Sequence, residues 1–200
     1  GNDGMEGSTG PGDAPDWFDG GTGHDFLYLD LSWVGIDLLF NSASAASASG
    51  LTMADGTHIR NVEELDLFLG SGNDTIILEG PGDWSFDLGA GNDTLNTGFL
   101  TSGPGGYDDD WIGAYGGDGV DTLIADGSHL STAIFANPYY SAFVINVDPG
   151  NSGDILRTWE FENVQITGTA RQRWVTHLDI ARADVERALR VGEVFFARTH

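Results

Sequence analysis

The chain has 200 residues, no cysteine and no lysine, and Arg60 is the only base before residue 151. Without cysteine there is no disulfide framework, no thiolate zinc site and no thiol nucleophile. Its apolar runs fall far short of the roughly 18 residues a membrane helix needs, so no membrane span is expected. H-E-x-x-H, G-x-S-x-G and P-loop motifs are missing too. The five histidines (24, 58, 129, 177 and 200) are scattered, so no catalysis is expected of this chain. Bases are so scarce that the formal net charge is −23. Such a surface repels nucleic acid and anionic lipid. What is present suffices for a core: 40% of residues are hydrophobic and 11% aromatic.

The charge is unevenly placed. Residues 1–150 hold 24 acids, 20 of them Asp, and 27 of the 30 glycines; residues 151–200 balance 7 acids with 7 arginines. Self-repulsion on this scale opposes compaction, so a cationic partner is the expected remedy. A merely salt-adapted acidic surface would explain the charge but not why Asp travels with Gly.

Asp and Gly travel together because they repeat. Gly20-Gly21-Thr22-Gly23-His24-Asp25-Phe26-Leu27-Tyr28 and Gly116-Gly117-Asp118-Gly119-Val120-Asp121-Thr122-Leu123-Ile124 both fit G-G-x-G-x-D-x-U-x, where U is a large apolar residue. Leu69 to Ile77 and Leu88 to Asn96 fit except at the first Gly, and keep Gly70, Gly72 and Asp74, and Gly89, Gly91 and Asp93. Gly1-Asn2-Asp3 reads as a repeat cut at its front, which predicts covalent continuation upstream of Gly1. Weaker copies end at Asp16 and at Asp108-Asp109-Asp110, and a copy from Glu79 to Asp87 has Trp84 where Asp is expected.

Physical chemistry gives each unit a shape. The Gly-rich six residues turn sharply, because Gly accepts positive φ without a Cβ clash. The last three form a short strand with the central apolar side chain inward. The turn exposes carbonyls and Asp adds a carboxylate. Ca²⁺ takes 6–8 oxygen ligands at about 2.3–2.6 Å. One turn cannot supply that many, whereas two stacked turns can. The alternative for each Asp is an Asx-turn or a solvated turn residue.

These nonapeptides resemble the calcium-binding repeats of the repeats-in-toxin (RTX, hemolysin-type) family. The resemblance covers roughly residues 1–28 and 69–124. It implies an all-β fold, a parallel β-roll or β-solenoid in which turns two repeats apart stack and share an ion. Against that period of about 18, Asp74 to Asp93 is 19 residues, Asp93 to Asp121 is 28 and Asp3 to Asp25 is 22, the excess being insertions. The ligands the resemblance implies are Asp74, Asp93 and Asp121 as one ladder, with Asp3 and Asp25 as a further site. Asp16, Asp108 and Asp110 lie in the weaker copies, and Trp84 breaks the site shared with Asp110 unless Asp83 substitutes. Gly21, Gly23, Gly70, Gly72, Gly89, Gly91, Gly117 and Gly119 belong to the same turns. Roughly two to five calcium ions are expected. The resemblance also implies a module of a larger secreted bacterial protein, at the cell surface or outside, kept unfolded during type I export and folded by calcium afterwards.

Two long insertions, about 29–68 and 125–167, interrupt the repeats. Phe26–Leu31, Ile36–Phe40, Thr57–Leu69, Thr122–Ala125 and Phe143–Val147 read as strands, and Asn41–Gly50 as a loop. Glu162-Asn163-Val164-Gln165-Ile166 aligns with Glu63-Glu64-Leu65-Asp66-Leu67, so the insertions look like two copies of one plan. In the second copy the closing turn is Gly168 to Arg173, and Arg171 or Arg173 is a candidate to stand in for the ion. The β-roll with its insertions then spans 1–175. Leu178, Ala181, Val185, Ala188 and Leu189 form a helical stripe, which predicts a C-terminal helix within 176–200, as a cap or part of an export signal. Asp108 and Asp110 also allow glycoside chemistry by composition, but chance acid pairs are expected in such a chain. Six tryptophans leave a second function open, an adhesive or carbohydrate- or partner-binding module with structural calcium, and a third, the accessory domain of a secreted enzyme.

Overall fold

Apolar side chains alternate with polar ones over three to six residues, and glycine-rich turns separate the runs. That pattern suits short half-buried strands and leaves no room for long helices. The computed structural model is accordingly mostly β. It describes residues 1–8, 10, 13–79, 83–100, 112–126, 135–139, 142–146, 154–167 and 173–174. Asp108, Asp110, Gly168 to Gln172 and the helix expected within 176–200 lie outside the described residues. No helix among the described residues is long and apolar enough to cross a membrane.

In chain order the strands are β1 Gly4–Ser8, β2 Trp17–Asp19, β3 Phe26–Asp30 and β4 Leu39–Asn41. A one-turn helix α1, Ser42–Ala45, follows. Then come β5 Leu51–Thr52, β6 His58–Arg60, β7 Glu64–Phe68, β8 Thr75–Ile77 and β9 Trp84–Asp87. After these come β10 Ala90–Gly91, β11 Thr94–Phe99, β12 Ile112–Tyr115, β13 Asp118–Gly119 and β14 Thr122–Asp126. The last are β15 Phe135–Tyr139, β16 Ala142–Asn146, β17 Asp154–Trp159, β18 Asn163–Thr167 and β19 Arg173–Trp174.

Two open sheets carry the fold. One runs β1-β3-β7-β9-β12-β17-β16-β15-β19, the other β18-β14-β11-β8-β4. The chain passes between them at almost every turn: β7 to β8, β8 to β9, β9 to β11, β11 to β12, β12 to β14. Over this stretch consecutive strands are therefore not neighbours, and each pairs in parallel with the strand one circuit away; β5 and β6, by contrast, are antiparallel neighbours. Registers keep like with like. Thr75, Thr94, Thr122 and Asn163 stand in one row, and Leu27, Leu65, Trp84, Ile112 and Leu156 in another.

Those rows make the core. Leu27, Leu29, Leu65, Leu67, Ile76, Leu95, Leu123 and Leu156 are buried, as are Phe40, Trp84 and Phe86. The Phe40 ring of the second sheet lies 6.0 Å from both Trp84 and Phe86 of the first, so the two sheets meet through these side chains. Each Leu or Ile withdrawn from water contributes about 1.5–3 kcal/mol.

The structure differs from the sequence reading in three places. Ser42–Ala45 is helical within the expected loop, because the Asn41 side chain accepts the Ser44 N–H (2.8 Å) and Ala45 is fully buried. Trp84 does not take the place of a turn Asp; its register with Leu65 puts it in the core, two positions further along the strand. The second insertion holds two antiparallel pairings, β15 with β16 and β16 with β17, on the edge of the larger sheet.

Candidate metal centre

The registers that align the strands also align the residues just before them. Asp74, Asp93 and Asp121 precede β8, β11 and β14 and are 1%, 1% and 0% exposed. Each Oδ1 accepts the main-chain N–H one circuit earlier. Leu38 N–H donates to Asp74 (2.7 Å), Asp74 N–H to Asp93 (2.7 Å) and Asp93 N–H to Asp121 (2.8 Å). On the opposite edge, before β1 and β3, Asp3 N–H donates to Asp25 Oδ1 (2.7 Å), and Asp25 is also buried. The 19-, 28- and 22-residue spacings thus become physical contacts.

Only half of each carboxylate is used this way. Oδ2 of Asp25, Asp74, Asp93 and Asp121 is buried and makes no hydrogen bond among the described residues. A buried carboxylate oxygen without a partner is expensive, and four in equivalent positions are not an accident of packing. Burial pushes the Asp93 carboxyl up to about 6, against the Asp74 N–H that favours its charge; the charges of Asp74, Asp121 and Asp37 push the same way as burial. Asp74 and Asp121 are raised as well, first by burial.

The turns supply further oxygens. Gly21, Gly89 and Gly117 take φ of 84°, 81° and 89°, which only Gly adopts freely. This lets successive turns nest so closely that a Cβ on Gly117 would collide with the Gly89 carbonyl oxygen, and one on Gly91 with that of Gly72. Gly70 and Gly72 nest likewise against the carbonyls of Val34 and Ile36, and Gly23 against Gly1. Gly119 sits on Gly91. The carbonyls of Gly70 and Gly89 accept from Ala90 and Asp118 (2.8 and 2.9 Å), which holds the stack in register. Among the described residues no three His, Asp or Glu side chains form one cluster. A cation held here would draw most of its oxygens from carbonyls, which suits a hard ion such as Ca²⁺. Gly117→Ala should therefore destabilise the folded chain sharply, by at least ~1–3 kcal/mol from the strained φ alone, and lower its melting temperature. Thermal denaturation by circular dichroism checks this, with Gly4→Ala as the control, since a Cβ there meets nothing.

Several residues that hold the ladders went unseen in the sequence. Glu63 Oε2 accepts from Asp25 N–H (3.0 Å) and Glu162 Oε2 from Asp121 N–H (2.8 Å), so each Glu takes the next rung after an Asp. A parallel series runs the other way: Asp37 accepts from Asn73 N–H (2.7 Å), Asn73 from Asn92 N–H (2.9 Å) and Asn92 from Val120 N–H (3.0 Å). The alignment of Glu63 with Glu162 was a signal for the first. The Asn-Asp pairs of the repeats were a signal for the second, since an Asn side chain readily satisfies a turn N–H.

Asp16 is not on a ladder. It faces Thr57 by the register of β2 with β6, and its carbonyl accepts from His58 N–H (2.9 Å). Asp3 is exposed and enters through its N–H. The His24 ring lies beside Glu64 (3.1 Å), and its main-chain N–H donates to Asn2 Oδ1 (3.2 Å), a rung like that between Asn92 and Asn73. No family model matches the chain, and a search of curated proteins finds no match either.

Proposed function

We infer that the chain is a calcium-binding module, a parallel β-roll of the RTX kind, whose folding is driven by calcium. One observation carries this: the four buried Oδ2 atoms, equivalently placed on two edges of stacked turns and without partners. A divalent cation between successive turns would take Asp74, Asp93 and Asp121 on one edge and Asp25 on the other, together with turn carbonyls. When bound it neutralises charge that the core side of the turn otherwise excludes. The residues themselves do the rest: Oδ1 locks the previous turn's N–H, the glycines let the turns approach, and Thr75, Thr94 and Thr122 start the strands in register.

Without the ion the acids repel and the buried carboxylates destabilise the folded state; with it the turns stack and the two sheets close on their core. Extracellular calcium modules bind at about 10⁻⁴–10⁻³ M. Such a chain stays open where calcium is scarce and folds where it is plentiful, which fits a part of a larger secreted protein that is exported unfolded. The reading assigns no reaction to the module.

The test is far-UV circular dichroism on a calcium-stripped sample titrated with CaCl₂, with MgCl₂ as control. A coil-to-β transition with calcium and none with magnesium is expected, because Mg²⁺ demands a smaller, near-octahedral site and sheds water reluctantly. A fully folded calcium-free chain indifferent to both ions would overturn the reading.

A second reading has its own observation. Trp17 is 65% exposed, its ring stacks 3.9 Å from that of His58, and the Arg60 guanidinium lies 5.7 Å over it beside Asp19. An exposed flat ring flanked by hydrogen-bonding groups suits a sugar face, so a glycan-binding role with structural calcium is the competing function. On that reading, oligosaccharides should quench tryptophan fluorescence in the calcium-loaded chain but not in Trp17→Ala.

A further inference from the structure

The two long excursions return to the ladders through turns that contain no glycine. The first is Arg60-Asn61-Val62-Glu63 and the second Trp159-Glu160-Phe161-Glu162. They share a geometry that nothing else in the described chain has. Asn61 (φ 51°) and Glu160 (φ 60°) are the non-glycine residues with positive φ among the described residues. Such a conformation persists only where the surroundings impose it. Val62 and Phe161 are buried behind them and pin each turn to the core. The glutamate one step further reaches the preceding Gly-rich turn, Glu63 on Asp25 N–H and Glu162 on Asp121 N–H.

The strained residue presents its carbonyl to the same place. A Cβ built on Gly20 would collide with Asn61 O and stand 2.9 Å from Asp25 Cγ. One built on Gly116 would collide with Glu160 O and stand 2.8 Å from Asp121 Oδ2. At both places an absent side chain leaves the buried, unpartnered Asp carboxylate and the strained carbonyl facing one small space. The independent pointer to a ligand is that carboxylate oxygen: Asp25 and Asp121 are 1% and 0% exposed. Two sequence-distant turns have reached one solution, which a merely structural loop closure does not require.

We propose that each closing turn completes a further calcium site of mixed construction, one formed by Asp25 with the Asn61 carbonyl and Glu63, the other by Asp121 with the Glu160 carbonyl and Glu162. This rests on the calcium reading of the ladders and extends it to turns that lack the glycine repeat. Each excursion is then tied down by an ion at its point of return. Calcium binding would thereby dock the insertions as well as the repeats.

The test uses the whole chain and calcium chloride alone. Equilibrium dialysis counts the ions bound by the native chain, by Glu63→Gln, by Glu162→Gln and by the double variant. Glutamine keeps an oxygen that can accept the Asp N–H and places an amide nitrogen, which cannot bind Ca²⁺, where the second carboxylate oxygen was, so the structural hydrogen bond survives and the charged ligand does not. Each single variant should bind one ion fewer and the double variant two fewer, while calcium still drives strand formation through Asp74 and Asp93. An unchanged count in the double variant, with calcium-driven folding intact, overturns the closing-turn sites and leaves the ladder reading standing. A native chain that binds no calcium overturns both. If the Gln variants do not fold, the native chain with ¹³C-carboxyl-labelled glutamate decides the matter by isotope-edited infrared spectroscopy. In the calcium-loaded chain labelled carboxylates should be shifted beyond what a backbone N–H donor produces, whereas ladders built on Asp alone would leave every glutamate at the frequency of a free or hydrogen-bonded carboxylate, and that result overturns the proposal.

Discussion

Asn in place of Asp93 should move the stability of the chain in opposite directions with and without calcium. Asp93 is the middle rung, with Asp74 on one side and Asp121 on the other. Asn keeps the shape and an oxygen that can accept the Asp74 N–H, and puts an amide nitrogen in place of the buried, charged Oδ2. In calcium-free protein that charge opposes folding, since the folded chain buries it without a partner and beside like charges, so Asp93→Asn should raise the folded fraction in chelator. On the calcium reading the same charge would be a ligand to ions on either side. An ion at about 100 times its dissociation constant contributes roughly 2.7 kcal/mol to the folded state. Losing two should cost about 5 kcal/mol, a large fraction of the stability of a small domain. Far-UV circular dichroism of native and variant chains reads both effects, as folded fraction in chelator and as a thermal melt in millimolar calcium. A variant destabilised equally in both conditions would mean that Asp93 acts only as a hydrogen-bond acceptor.

This crossing of signs distinguishes a ligand from a turn-forming Asp. An Asx-turn residue bonds the N–H two positions along its own chain, as Asp19 does with Gly21 (3.1 Å) and Asp87 with Gly89 (3.2 Å). Asp74, Asp93 and Asp121 instead reach 36, 19 and 28 residues back. Such reach gives the turn nothing locally. It joins circuits, and it leaves the second oxygen buried without a hydrogen-bond donor among the described residues.

The ladder was legible because its period is written in the repeats. The distances between Asp74, Asp93 and Asp121 equal the strand registers Thr75 to Thr94 to Thr122. Parallel stacking needs equivalent residues to superpose, and the glycine-Asp spacing marks them directly. The closing turns were harder to read, since no glycine marks them: Asn61 takes a positive φ that Asn tolerates, and Glu160, which rarely does, is held there by the assembled fold. The alignment of their glutamates signals a shared role without naming the Asp ladder as its place. Helix α1 was missed because Ser and Ala are indifferent locally, and the Asn41 cap and the burial of Ala45 decide it. Trp84 misled by position: the strand sits two residues earlier in register than the repeat frame places it, which turned an apparent ligand site into a core position.

Acid should do part of the work of calcium. The folded-state pKa of Asp93 is raised to about 6 from an ordinary value of 3.8, and those of Asp74 and Asp121 are raised too. A raised carboxylate pKa means the folded state binds more protons than the unfolded state. Stability from this source is fully present below the unfolded pKa and is lost as pH rises through the folded one. Each unit is worth about 1.4 kcal/mol. Calcium-stripped protein should therefore be most stable near pH 4 and weaken steadily toward pH 7. Calcium stabilises the ionised form, so its contribution should run the other way, negligible at pH 4 and largest above pH 6. The folded fraction across that range, read by far-UV circular dichroism with and without calcium, would converge at the acid end and separate at the neutral end. Two parallel curves would mean that proton and ion do not compete for the same oxygens, and that the buried Oδ2 atoms are not where calcium binds.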